Sequence, residues 1–230
     1  MKKTNIPTKD LATDFFQIHT LITNAVDSAV NHAREYEKTG FQNTNARDGF
    51  AMFNRCLIAL LHIHHRGEDK IFVPYVAEHL PDLSTFFINE AHKEMEARLD
   101  RLTVRLEDMA KEPPSNESNE KITIVRERLE TLNDLWLKHK KEEEQFITEQ
   151  AAPRISKEDQ EMLMAELQKH GLGGSKPISV MGAFLFYNFE PDMRAQFFSD
   201  VPWHLKDVLV PYVWKMRWGK MKPFLPYPPS

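Results

Sequence analysis

Apolar residues recur every three or four positions along four long stretches of this chain. That spacing constrains the fold more than any other feature, because it builds one apolar stripe along a helix and cannot build the alternating face of a strand. The first stretch runs from about Thr8 to Lys38, carries Leu11, Phe15, Ile22, Val26 and Val30, and ends at Gly40. The second runs from about Asn45 to Leu80 through Phe53, Leu57, Leu60, Leu61, Ile71, Phe72 and Tyr75, with Pro81 as its stop. Pro74 inside it predicts a kink or an early end near Val73, since proline lacks an N–H and its ring clashes with the preceding turn. The third begins near Asp82 or Ser84 and continues through Ile88, Met95, Leu99, Leu102 and Leu106 to about Lys111, where a polar linker over 113–119 follows. The fourth carries Val125, Leu129, Leu132, Trp136, Phe146 and Ile147. A shorter helix is predicted from Ser156 to His170, opened by a Ser156/Asp159 capping box and closed at Gly171. With only 8 Gly in 230 residues, turn-rich sheets and Gly-loop nucleotide sites are disfavoured. The fold expected is all-α: an up-down-up-down four-helix bundle over 8–150, a short helix and linker over 151–175, and an aromatic-rich helical C-terminal extension over 176–230.

Composition narrows the function classes. The formal charge of -4, from 30 basic and 34 acidic residues, gives no electrostatic footprint for nucleic acid. No run of eighteen apolar residues exists, so no transmembrane segment is expected. Cys56 is the single cysteine, and the basic residues of Met1 to Asp10 have no apolar stretch behind them, so the expected location is cytoplasmic.

Chemistry emerges when the stripes are followed through their gaps. On the fourth stretch Leu132 and Trp136 lead to His139, Glu143 and Phe146, placing a histidine and a carboxylate where the pattern calls for apolar side chains. The second stretch repeats this with His64 and Glu68 between Leu61 and Ile71. His92 follows Ile88 on the third, with Glu96 one turn later at the stripe's edge, and His19 lies between Phe15 and Ile22 on the first. Ionised carboxylates in a helical core cost several kcal/mol each unless paired or metal-bound. Arg66, Lys70, Lys140 and Lys141 are out of phase with these positions. A pair of divalent ions held by His19, His64, Glu68, His92, His139 and Glu143 resolves the conflict. Mixed imidazole and carboxylate ligation suits iron or manganese, with zinc as a competitor. His62 and His65 are off the inward phase and are expected to have no metal role, although His65 is placed to orient His64. His32, His79, His170 and His204 are assigned to surface or terminus positions, and the charge run Lys138 to Glu144 to a solvated face apart from His139 and Glu143.

These residues resemble the hemerythrin-like, HHE cation-binding family. HHRGEDKIFVPYV is similar to the family's H-H-x-x-E-[ED]-x-x-[LIF]-[FL]-P signature and HKKEEEQFI to its closing H-x-x-E-E-E-x-[LIF] signature, with the resemblance covering roughly residues 10 to 150. It implies a four-helix bundle around a non-haem di-iron centre ligated by His19, His64, Glu68, His92, His139 and Glu143. Glu68 and Glu143 would bridge the irons, with an oxo or hydroxo group completing the bridge. Oxygen-carrying members have H-x-x-x-H on the third helix, whereas here His92 is followed by Glu96, a further candidate ligand. Fewer histidines and more anionic oxygen favour the ferric state, which disfavours reversible O2 carriage and favours reaction with O2, peroxide or NO.

The stretch from Met181 onward holds half of the chain's aromatic residues. It is expected either to cap the bundle end or to form a lid whose rings line an apolar pocket for an organic substrate, with attachment to a membrane surface as a third reading. Three function classes follow: a di-iron oxidoreductase, of oxygenase, oxidase or peroxide- and NO-reducing type; a non-catalytic iron or oxygen sensor or storage protein; and a metal-free helical interaction module, against which His64 and Glu68 within a stripe speak.

Overall fold

In the computed structural model, residues 10–115, 120–199 and 201–229 are described. They are helical, with no strand among the described residues. Helix α1, Leu11–Thr39, is capped by Asp10, whose carboxylate accepts the Thr13 backbone N–H at 2.7 Å. It ends at Gly40, whose φ of 65° lets its N–H turn back to the Tyr36 carbonyl. The expected start at Thr8, and 116–119 of the expected linker, lie outside the described residues.

Helix α2, Thr44–Gly67, ends one turn ahead of Val73, where Pro74 predicts a kink or an early end, but the chain stays helical beyond it. The chain passes through a π-helical turn, Glu68–Phe72, and continues as α3, Val73–His79, with Pro74 in its first turn. In that wide turn the Val73 N–H reaches five residues back to the Glu68 carbonyl. The extra residue moves the carbonyl that a proline ring would otherwise strike. Helix α4 is Phe86–Lys111 and α5 is Glu120–Phe146. After α5 the same device recurs: a π-helical turn, Ile147–Ala151, precedes Pro153 in the short 3₁₀ turn Ala152–Arg154.

Helix α6, Lys157–Gly174, has the expected Ser156 cap but runs beyond Gly171, which adopts helical backbone; the Ser175 N–H closes it on the Gly171 carbonyl. The remainder is a series of short elements: α7, Ile178–Asn188; α8, Pro191–Phe197; a π-helical stretch, Leu205–Val213, that absorbs Pro211; α9, Lys215–Trp218; and a 3₁₀ turn, Gly219–Phe224.

Helices α1 and α4 each pack along both α2 and α5. Their apolar contacts fall into two clusters with a polar layer between them. Along α1 the order is Phe15 of one cluster, His19, then Ile22 of the other; along α2 it is Leu61, His64 and Glu68, then Phe72. Along α4 it is Ile88, His92 and Met95, and along α5 Trp136, His139 and Glu143, then Phe146. The sense alternates from each of these helices to the next. Residues from α7 to Leu225 belong to the larger cluster, so the C-terminal stretch shares the core of the long helices.

That sharing depends on contacts too close for a side chain. A Cβ on Gly49 would stand 2.0 Å from the Lys220 carbonyl oxygen and 2.9 Å from the Phe224 ring. The Phe224 ring sits among Tyr36, Phe50 and Phe53, and the Ser28 hydroxyl donates to the Phe224 carbonyl at 2.6 Å. Gly49→Ala is therefore expected to destabilise the protein by about 1–3 kcal/mol through overpacking. Gly173→Ala, where nothing lies within 4 Å of the added carbon, is expected to stabilise it by about 0.5–1 kcal/mol. The midpoints of urea unfolding measure both.

Candidate metal centre

The polar layer is built by position on rigid helices. His19, Glu68, His92, His139 and Glu143 are buried, and His64 is nearly so. Their ligand atoms converge: His64 Nε2 lies 3.1 Å from Glu68 Oε1, and His92 Nε2 3.2 Å from Glu68 Oε2. On the other carboxylate, His139 Nε2 lies 3.3 Å and His19 Nε2 3.4 Å from Glu143 Oε2. The Nε2 atoms of His92 and His139 are 3.2 Å apart. Two donors about 2.1 Å from one ion are roughly 3.0 Å apart in an octahedron and 3.4 Å in a tetrahedron, so the observed spacings are those of coordination edges.

Two four-residue sets result. His19, His64, Glu68 and Glu143 form one, and Glu68, His92, His139 and Glu143 the other, each with its ligand atoms within 4.8 Å of one another. Both can hold a metal ion, and they share the two carboxylates. Hydrogen bonding points the same way: His19 Nε2, His64 Nε2 and all four carboxylate oxygens of Glu68 and Glu143 are buried without a hydrogen-bond partner. Among the described residues no lysine or arginine pairs with either glutamate. Unpartnered buried polar atoms are rare in folded proteins, and these six lie together in one layer.

The outward nitrogens are held as well. His92 Nδ1 lies 2.7 Å from Asp69 Oδ1, and His19 Nδ1 3.0 Å from Glu144 Oε1. A carboxylate at Nδ1 keeps a proton there and leaves Nε2 bare for a metal. The two acids are sequence neighbours of Glu68 and Glu143, so each glutamate–acid pair serves the layer twice. Below it, Trp136 donates its indole N–H to Thr23 Oγ1 at 3.0 Å and packs its ring 5.3 Å from His19 and 5.9 Å from His64. Phe15 closes on His19 from above, at 5.8 Å.

Electrostatics show the layer's demand for positive charge. Burial alone would depress His19 and His92, but Glu143 and Glu144 carry His19 up to about 9, and Asp69 and Glu68 carry His92 up to about 10. Burial and then the neighbouring imidazoles hold His64 and His65 well below the usual histidine range. Burial, followed by the charge of Glu143, raises Glu68 to about 7. Glu143 stays well below the usual carboxylate range because His139 and His19 outweigh its burial.

All six residues expected on the inward stripes meet here. Glu96 does not: its carboxylate is half-exposed and lies 3.7 Å from His62 Nδ1. His65 departs from expectation in the other direction. It is fully buried, its ring stacks on His92 at 4.3 Å and 20°, and it can join His92 and His139 around an ion. The inward arc of α2 is wide because α4 packs beside it, and the spacing Leu61, His65, Phe72 carried that signal. Asp69 and Glu144 were also missed, the latter assigned to a solvated face, because phase locates stripes and not the residues that reach across from their edges.

An apolar cavity of about 350 Å³ abuts one side of the layer. His64 and Glu68 line it, together with residues of α1, α6, α7 and the 197–214 stretch. His170, expected at the surface, is part of this lining.

No protein-family model, no curated protein and no solved structure matches the chain. Function has to be read from the site's own chemistry.

The two supporting acids and the excluded one give a direct test. Asp69→Asn and Glu144→Gln are each expected to weaken metal retention about 10–100-fold in chelator competition, whereas Glu96→Gln leaves it unchanged.

Proposed function

We propose that this chain is a hemerythrin-like, non-haem di-iron protein that binds and reacts with O2, peroxide or NO. The observation that carries the reading is the pair of four-residue ligand sets sharing Glu68 and Glu143. His19 and His64 would hold one ion and His92 and His139 the second, with Glu68 and Glu143 within reach of both. The alternating sense of α1, α2, α4 and α5 through the polar layer supports an up-down-up-down four-helix bundle as the frame. Four protein donors per ion leave part of a six-coordinate shell for an exogenous ligand.

Imidazole and carboxylate donors suit iron or manganese, and iron supplies electron transfer to dioxygen, peroxide or NO. The chain's residues do the rest. Asp69 and Glu144 fix the imidazoles of His92 and His19 with Nε2 turned inward. Trp136 and Phe15 exclude water above and below, which strengthens every interaction within the layer. His64 and Glu68 alone among the six border the cavity, so a small ligand enters from the α1–α2 side.

Protein purified aerobically is expected to hold two irons per chain, one for each ligand set, with the near-ultraviolet absorption of ferric iron. His64→Ala and Glu143→Ala are expected to hold less than half as much. Metal-free, colourless protein, or zinc retained in preference to supplied iron, contradicts the reading. Continuous O2 or peroxide consumption with reductant marks an enzyme; a single stoichiometric oxidation marks the sensor or storage alternative.

A further inference from the structure

The cavity beside His64 and Glu68 has walls that restrict what it accepts. Its volume of about 350 Å³ is at the small end for an organic ligand, where sites run from about 300 to 1,000 Å³. The lining is overwhelmingly aliphatic and aromatic, including Ile18, Leu60, Leu185, Phe186, Leu205 and Trp214. Among the described residues no lysine or arginine is part of it. Two of the polar lining groups already have partners within the protein. The Ser175 hydroxyl donates to the Gly171 carbonyl at 2.7 Å, and the Gln168 amide donates to Asp14 Oδ2 at 3.2 Å.

At one end stand His64 Nε2 and Glu68 Oε1, 3.1 Å apart and buried without a hydrogen-bond partner. At the rim, Leu172 and Ile178 are 59% and 43% exposed, which gives the entrance an apolar lip. The far wall is held by a close approach of α7 to the π-helical stretch: a Cβ on Gly182 would meet Val210 at 3.3 Å.

We propose that this cavity is the binding site of a neutral, apolar organic molecule, seated with one end against His64 and Glu68. Its role as a substrate site rests on the di-iron reading, whereas the binding itself does not. In the metal-free chain an anionic ligand would enter a low-dielectric space with Asp14 and Glu68 in its wall and no lysine or arginine in its described lining, which disfavours it. A hydrocarbon-like ligand loses nothing there and removes apolar surface from water.

The test uses the full chain, first metal-free and then iron-loaded, with two probes that differ by one sulfonate. N-phenyl-1-naphthylamine is neutral, and 1-anilinonaphthalene-8-sulfonate is its anionic counterpart. The neutral probe is expected to bind one per chain with enhanced, blue-shifted emission, and in the metal-free chain the anionic probe binds at least tenfold more weakly. Ile18→Trp, which fills the cavity, and Leu185→Glu, which charges it, are each expected to reduce neutral-probe affinity at least tenfold. Iron content and unfolding midpoint report whether each variant is intact. Met216→Ser and Tyr212→Ser, at exposed apolar positions outside the cavity, are expected to change nothing.

Equal affinity for both probes in the metal-free chain, binding sensitive to Met216→Ser or Tyr212→Ser, or binding unaffected by folded Ile18→Trp and Leu185→Glu overturns the proposal. Probe binding without iron binding leaves the cavity standing and removes the di-iron reading. Iron binding without probe binding does the reverse.

Discussion

Two carboxylates, Glu68 and Glu143, lie together in the middle of a helical core, and among the described residues no lysine or arginine pairs with them. An uncompensated buried charge costs several kcal/mol, comparable with the gain of about 1.5–3 kcal/mol from burying a large apolar side chain. The folded chain therefore has a standing demand for positive charge at one point. Four imidazoles arranged at coordination spacing, with the ring nitrogens of His19 and His92 held by acids on their far sides, meet that demand in the form a pair of metal ions requires. Without a metal, protons fill part of the role, which is why His19, His92 and Glu68 hold theirs so far above their ordinary ranges.

The layer's two sides differ. Toward α4, the His65 ring stacks on His92 and closes the site. Toward α1 and α2, His64 and Glu68 border an apolar cavity roofed by α6, α7 and the 197–214 stretch. The π-helical turn beginning at Glu68 sits where that asymmetry is generated, because the inserted residue shifts the chain between His64 and Phe72 and lets Pro74 follow without ending the helix. The C-terminal stretch is thus structural and site-forming together. Phe224 and Trp218 lock it into the core, while Leu205 and Trp214 present it to the cavity.

Most of the buried polar layer was legible in the sequence because it follows one rule. His19, His64, Glu68, His92, His139 and Glu143 break apolar stripes at helical spacing, and the long helices keep that register through to the folded core. What escaped obeys different physics. Asp69 and Glu144 act across an interface from the edge of their stripes, so their roles depend on which helix neighbours which. His65 needed the width of the α2–α4 contact, and Glu96 needed its absence from the layer. The accommodation of Pro74 depended on a π-helical turn, which has no periodic signature. Gly171 reads as a stop but lies in helical backbone, because Ser175 supplies the cap four residues later. The cavity joins α1 and α2 to segments more than a hundred residues away, and no local pattern encodes such a contact.

The most direct measurement is anomalous X-ray diffraction at the iron edge on crystals of aerobically purified protein. The account requires two anomalous peaks per chain, one within bonding distance of His19, His64, Glu68 and Glu143 and one within bonding distance of Glu68, His92, His139 and Glu143. An ordered polar layer with no anomalous signal in crystals grown with excess ferrous iron, or iron bound elsewhere on the chain, would contradict it.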